Sequence, residues 1–257
     1  MITRIVAIGD VHAEYGKLWR ALRHAGAADN QNLPTPLLTS GRLRVVLLGD
    51  LVHPKTREAY TRLTGLDPYD HRNPDHLRRA AREQVRALMR IKNFVDGAGG
   101  FAVVVRGNHD QAVLDHRFLL GNASGIEHAE FDPERGGVPL PDNLAEWIGG
   151  FPKEFVVGGI HFAHVGPAPW LQEYDDMFYQ SKEAKRWWLT NPDYMQRSGY
   201  RFGVYGHTVM KEGIRVFPEY NFALVDALDQ EEYLELLVDG DDLDWRVVKF
   251  ARGKTAG

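Results

Sequence analysis

Apolar residues in this chain fall into short, dense runs, and several of those runs end beside a glycine followed by polar groups. Ile5 to Ile8, Leu43 to Leu48 and Phe101 to Val105 are rich in β-branched residues and too short for helices, so they predict buried strands. Between the first two, Glu14 to Ala25 places Leu18, Ala21, Leu22 and Ala25 on one helical face. Between the second and third, Asn73-Pro74 reads as an N-cap and first helical residue. The helix it opens carries Leu77, Ala81, Val85 and Leu88 at helical spacing until Gly97 to Gly100 stops it. Strand, helix, strand, helix, strand over the first 110 residues predicts a parallel βαβ arrangement.

The second half reads differently. Gln111 to Leu120 and Asp142 to Ile148 predict helices, with a loop-like stretch from Gly121 to Pro141 between them. Phe155 to His164 predicts one strand, and Tyr174 to Leu189 an aromatic-rich helical stretch. Arg215 to Val225, Glu232 to Val238 and Trp245 to Phe250 alternate as antiparallel strands do. Leu51 to Asn73 has no clear periodicity, and a long irregular segment of this kind is more often functional than idle. The pattern shifts from α/β to β-rich without a linker or a repeat, so a single domain over residues 1–257 is expected.

Composition narrows the chemistry. A net charge of -4 argues against a general nucleic-acid or membrane-surface binder. No run approaches the roughly 18 apolar residues of a membrane span, and no signal-peptide pattern opens the chain, so a cytoplasmic location is expected. There are no cysteines, which removes disulfides, zinc-thiolate sites and thiol nucleophiles. Any metal would have to be held by His, Asp, Glu or Asn.

Those residues gather at strand ends, where ligands sit in sheets of this type. Asp10 and His12, two apart on an extended segment, share a side and can grip one cation. Asp50 repeats the Gly-Asp ending one strand over, and its two oxygens could bridge two cations about 3.5–4 Å apart. Asn108 adds a neutral oxygen, and His164 and His207 add imidazoles from later strands. Oxygen and nitrogen donors without sulfur suit Mn, Fe or Zn better than an all-oxygen cage for Ca or Mg. His161 lies three residues from His164, faces the other side of the strand and reads as structural. His24, His71, His76, His116 and His128 read as surface residues.

Taken in order, Gly9-Asp10-Val11-His12, Gly49-Asp50, Gly107-Asn108-His109-Asp110, His164-Val165-Gly166 and Gly206-His207-Thr208 resemble the signature of the calcineurin-like metallophosphoesterases. Arg106 before Gly107, and Val209 after His207-Thr208, are similar to the branch holding the Ser/Thr phosphoprotein phosphatases and symmetrical diadenosine tetraphosphate hydrolases. The resemblance implies a four-layer α/β/β/α sandwich with two mixed sheets. It implies two divalent or trivalent ions, with Mn expected first and Fe or Zn as alternatives. Asp10, His12 and Asp50 would hold one ion, and Asp50, Asn108, His164 and His207 the other. A hydroxide bridging the ions would attack phosphorus, His109 would protonate the leaving-group oxygen, and Arg106 would face the phosphoryl oxygens.

One block departs from that branch. Where it reads Gly-Asp-x-Val-Asp-Arg-Gly, this chain has Gly49-Asp50-Leu51-Val52-His53-Pro54-Lys55. The Asp that would orient the acid histidine is His53, and the phosphate-gripping Arg is Pro54. Lys55 or Arg57 is the expected replacement cation. The expected substrate is therefore a phosphorylated small molecule or nucleotide ahead of a phosphoprotein, with Trp187-Trp188 offering either pocket wall or core. The alternative is a metal- and phosphate-binding module with little turnover. Net acidity disfavours a nuclease acting on nucleic acid.

Overall fold

The computed structural model describes residues 3–115, 119–175 and 181–250. The first three expected strands form and pair in parallel: β1 (Thr3–Ile8) with β2 (Leu43–Leu47), and β2 with β3 (Ala102–Val104). The crossover from β1 to β2 includes α1 (Tyr15–His24) and a four-residue turn, α2 (Pro36–Thr39). The crossover from β2 to β3 includes α3 (Arg57–Thr64) and the long α4 (Pro74–Gly97), opened by the Asn73 side chain accepting from Asp75 N. Helix α3 lies inside the stretch that lacks periodicity. Its cues are local: the Thr56 side chain caps Ala59 N, and Gly65 at φ 72° ends the helix.

After β3, α5 (Asn108–Asp115) starts three residues earlier than the sequence suggests, and α6 (Asp142–Gly149) forms as expected. His116 lies outside the described residues. The single strand expected from Phe155 to His164 is instead a hairpin, β4 (Glu154–Val157) and β5 (Ile160–Ala163). Gly158 and Gly159, at φ 59° and 73°, take the left-handed conformation that a two-residue hairpin turn needs. Within the aromatic-rich stretch the described residues form only short helical turns, Lys182–Lys185 and Trp187–Thr190. The remaining strands are β6 (Phe202–Val209), β7 (Arg215–Phe217), β8 (Phe222–Asp226), β9 (Glu232–Asp239) and β10 (Asp242–Lys249).

Two mixed five-stranded sheets result, ordered β10-β9-β1-β2-β3 and β4-β5-β6-β8-β7. The period-two pattern of β1 shows how they pack. Ile5 and Ala7 join Val46, Phe162, Val204 and Val225 between the sheets. Val6 and Ile8 turn the other way, onto Leu18, Leu88 and Phe94 of the helices. The outer face of the second sheet is covered by Leu171, Trp187 and Met195. This is the α/β sandwich of two mixed sheets with helices outside. Among the described residues no helix is long and apolar enough to cross a membrane.

Candidate active site

Parallel strands β1, β2 and β3 end at the same edge, and β5 and β6 of the second sheet bring their own polar ends to meet them. Two of the block glycines make that meeting possible. A Cβ on Gly107 would lie 2.1 Å from Asp50 Oδ1, and one on Gly206 would lie 2.2 Å from Asp10 Oδ1. Each carboxylate therefore presses against a bare backbone. His12, Asp50, His53 and His207 all hold positive φ, between 42° and 65°. For non-glycine residues this conformation is sparsely populated, and its concentration at one place marks a functional site.

Backbone contacts orient the donors. His12 Nδ1 lies 2.8 Å from His53 O, and His164 Nδ1 lies 2.6 Å from Leu48 O. Each ring thereby commits Nδ1 to the backbone and turns Nε2 toward the cleft, where it becomes a metal donor once it carries no proton. His12 Nε2 is 3.4 Å and His164 Nε2 3.2 Å from the same Asp50 oxygen, Oδ2. Asp50 Oδ1 accepts from His109 N at 2.8 Å. Asp10 accepts His207 N on both oxygens at 3.0 Å. Asn108 Oδ1 is 3.0 Å from His164 Nε2 and 3.0 Å from His207 Nδ1. The six expected ligands, Asp10, His12, Asp50, Asn108, His164 and His207, are thus one contiguous cluster.

Their burial tests whether metal fits. Asp10 and Asp50 are 2% and 1% exposed, and among the described residues no Lys or Arg is within ion-pair distance of either. Burial and then Asp226 push Asp10 well above the usual carboxylate range. At Asp50 burial also pushes upward, but His164 and His109 outweigh it and hold the carboxyl well down. Burial lowers His164, yet Asp50 and Asp10 lift it to about 10, whereas burial takes His207 and His109 down to about 3. Two buried carboxylates balanced by a proton on one imidazole make a donor set that divalent cations fit, since binding would displace that proton. Asp10, Asp50 and His164 form one group with donor atoms within 4.8 Å, and His12, Asp50 and His109 form another. Asp50 belongs to both.

A third group, His53, His109 and His128, is equally close. The His53 and His128 rings are stacked at 4.4 Å and 2°. In-plane lone pairs of parallel rings do not converge on a common ion, so this group is a wall of the cleft. His53 Nδ1 lies 2.9 Å from His109 Nδ1. Behind it, His128 Nδ1 meets Tyr60 Oη at 2.6 Å, and Tyr60 donates to Glu130 Oε1 at 2.8 Å. Gln84 Nε2 donates to the same oxygen at 2.7 Å, while its Oε1 accepts His53 N at 2.9 Å. His128 is thus no surface histidine, being 6% exposed because the loop that carries it folds under α3 and α4. His24 is exposed as expected, and His71 and His76 are half-buried. His161 is fully buried and satisfied by Tyr205 Oη and Glu154 Oε2, both at 3.0 Å.

Arg106 is not drawn into the cluster. Its guanidinium donates to the carbonyls of Gly149 and Phe151 and to Gln111 Oε1, anchoring α6 beside α5. Asp110 accepts Asp50 N, Leu51 N and Gly107 N at 2.7, 2.9 and 3.0 Å, and so ties the β2 and β3 loops together. Trp187 is 1% exposed and packs on Tyr205 and Phe222, so it is core and not a wall for ligand. The sequence reading missed Asp226, although it closes an apolar strand just as Asp10 and Asp50 do.

A cleft of about 420 Å³ opens over the cluster, lined by His12, Asp50, His109, His128, Lys55 and Lys211 among others. A two-sheet sandwich with carboxylates, imidazoles and an amide at its strand ends defines a protein built to hold metal beside a ligand pocket. The chain belongs to the calcineurin-like phosphoesterases, whose family profile matches residues 3–211. That is a family of metal-using hydrolases of phosphate esters. No curated protein sequence matches the chain.

The fold is shared with solved phosphatases at low identity. A mutant cold-active protein tyrosine phosphatase is 15% identical with TM-score 0.58, over 97% of this chain and 81% of that one. The cold-active protein-tyrosine phosphatase of a psychrophilic Shewanella is 16% identical with TM-score 0.55, over 97% and 81%. A Saccharomyces cerevisiae protein serine/threonine phosphatase similar to human phosphatase PP5 is 11% identical with TM-score 0.52, over 96% and 80%.

Proposed function

We propose that the protein, as one metallophosphoesterase domain over residues 1–257, hydrolyses a phosphoester on a small molecule or nucleotide with a pair of metal ions. The observation that carries this reading is Asp50, buried and common to two donor groups. Asp10, His12 and Asp50 would hold one ion and Asp50, Asn108, His164 and His207 the other, with Mn, Fe or Zn suited to the oxygen and nitrogen donors. When bound, such a pair supplies Lewis acidity at the phosphoryl oxygens and lowers the pKa of coordinated water.

The chain's own residues do the rest. His53 occupies Nδ1 of His109, which leaves Nε2 as the atom that would face the departing oxygen, hydrogen-bonding it as the neutral ring and protonating it once the ring is charged. His12 and His164, fixed through Nδ1 by backbone carbonyls, need no reorientation to bind metal. The cleft is walled by the loops after β2 and α5, which favours a compact phosphorylated molecule over a protein surface. The second reading, a metal- and phosphate-binding module with little turnover, is favoured by one observation: His53 and Pro54 stand where a carboxylate and a guanidinium are expected.

Chelator-stripped protein reloaded with Mn distinguishes them, with phenol release followed from a chromogenic phosphomonoester and a phosphodiester. Metal-dependent turnover that Asp50→Asn abolishes and His109→Ala strongly cuts is expected. Tight metal binding without turnover of either ester would favour the binding module, and no metal uptake would overturn both.

A further inference from the structure

With Pro54 in place of an arginine and Arg106 committed to carbonyls, the cleft needs another cation to receive a phosphoryl dianion beside so many carboxylates. Arg57 is not that cation, because its guanidinium donates to Tyr69 O at 2.6 Å, away from the cluster. Lys55 lines the cleft with His12, Asp50 and His109. Its Nζ lies 2.5 Å from Asp226 Oδ1, and Asp229 Oδ2 sits 3.9 Å away at the rim. Asp226 is 1% exposed, and its other oxygen is buried without a hydrogen-bond partner, so the carboxylate has Lys55 as its fixed contact. An ammonium carries three protons, and a single close bond to Asp226 leaves others for a ligand. Burial lowers the lysine's pKa, but Asp226 and Asp10 outweigh it and shift it upward, keeping the cation charged.

Lys211 lines the same cleft, but among the described residues no carboxylate anchors it as Asp226 anchors Lys55. We propose that Lys55, held in place by Asp226, is a phosphate-binding cation of this cleft and takes the part of the arginine that this chain lacks. The inference rests on the reading of the cleft as a phosphoester site, and it identifies the residue pair that recognises the phosphoryl group. Lys55 touches the ligand, whereas Asp226 is a positioning residue that acts through it. A cation gripping terminal phosphoryl oxygens favours a monoester dianion over a diester monoanion, so the substrate class it selects is a phosphomonoester.

The test uses Mn-loaded full-length protein and inorganic phosphate, with affinity read by titration calorimetry and metal content measured on the same samples. Lys55→Met is expected to weaken phosphate binding about tenfold to a hundredfold, the worth of a charge-assisted bond, at wild-type metal content. Lys55→Arg is expected to stay within about threefold, and Arg57→Met within about twofold. Asp226→Asn is expected to weaken binding by an intermediate factor, and to have no further effect in a Lys55→Met background, because the two act as one unit. The double variant also removes the unpaired buried carboxylate that could unfold Lys55→Met alone. Unchanged phosphate affinity in Lys55→Met with metal retained would overturn the proposal, as would additive losses in the double variant. Protein that binds phosphate through Lys55 but turns over no ester would leave this proposal standing and sink the hydrolase reading.

Discussion

On one wall of the cleft, Asp10, His12, Asp50 and His164 lean on backbone carbonyls and amides. On the other, His53, His128, Tyr60, Gln84 and Glu130 hydrogen-bond among themselves, with His53 Nε2 and Glu130 Oε2 left unpartnered. The first wall is rigid and electrostatically unfinished, with two buried carboxylates and imidazoles whose free nitrogens converge. The second is a side-chain hydrogen-bonded network in which the His53 and His128 rings lie parallel and do not aim their nitrogens at one ion. Imidazoles alone therefore do not make a metal site. What separates the walls is where each ring's second nitrogen is held, and whether a carboxylate lies between the free ones.

Breaking the first wall gives the largest effect. Asp50→Asn removes the donor common to both groups, and metal-dependent turnover should fall more than about a hundredfold, with metal content measured alongside. Breaking the second wall should cost stability and spare metal. Tyr60→Phe deprives buried His128 and Glu130 of a shared partner, for a loss of about 1–3 kcal/mol in urea unfolding at unchanged metal content. At the edge of the same cleft, Thr56→Ala removes the cap of α3 and should cost about 1 kcal/mol in the same assay.

The mildest change sharpens the contrast through pH. Burial raises the Glu130 carboxyl above its ordinary range, partly offset by Gln84 and Tyr60. A raised carboxyl binds its proton more tightly in the folded protein, so ionising it destabilises the fold as pH rises above the unfolded-state value near 4.5. Glu130→Gln should accordingly match the wild type at low pH and exceed it in stability at neutral pH. Chemical denaturation across pH reads this directly, and a neutral-pH deficit would contradict it.

These contrasts also explain what the sequence made legible. Asp10, Asp50, Asn108, His164 and His207 announced themselves because each ends an apolar run, and parallel topology brings such ends together. The Gly158-Gly159 turn and the Thr56 cap were equally local signals, yet an apolar run around the first masked a hairpin and a charged, aperiodic stretch around the second masked a short helix. His128 and Glu130 could not be read in the same way. They lie on an aperiodic loop, and their burial depends on where that loop packs against Tyr60 and Gln84, a tertiary fact without a sequence period. Arg106 sat in the right block, but its side chain was claimed by carbonyls more than forty residues away.

The central claim is that Asp50 joins two metal ions. Electron paramagnetic resonance of the Mn-loaded protein tests it without relying on any substrate. An exchange-coupled pair signal in the wild type, replaced in Asp50→Asn by an isolated ion or none, is the result this account requires. Uncoupled Mn in the wild type, or a coupled pair that survives Asp50→Asn, would contradict it.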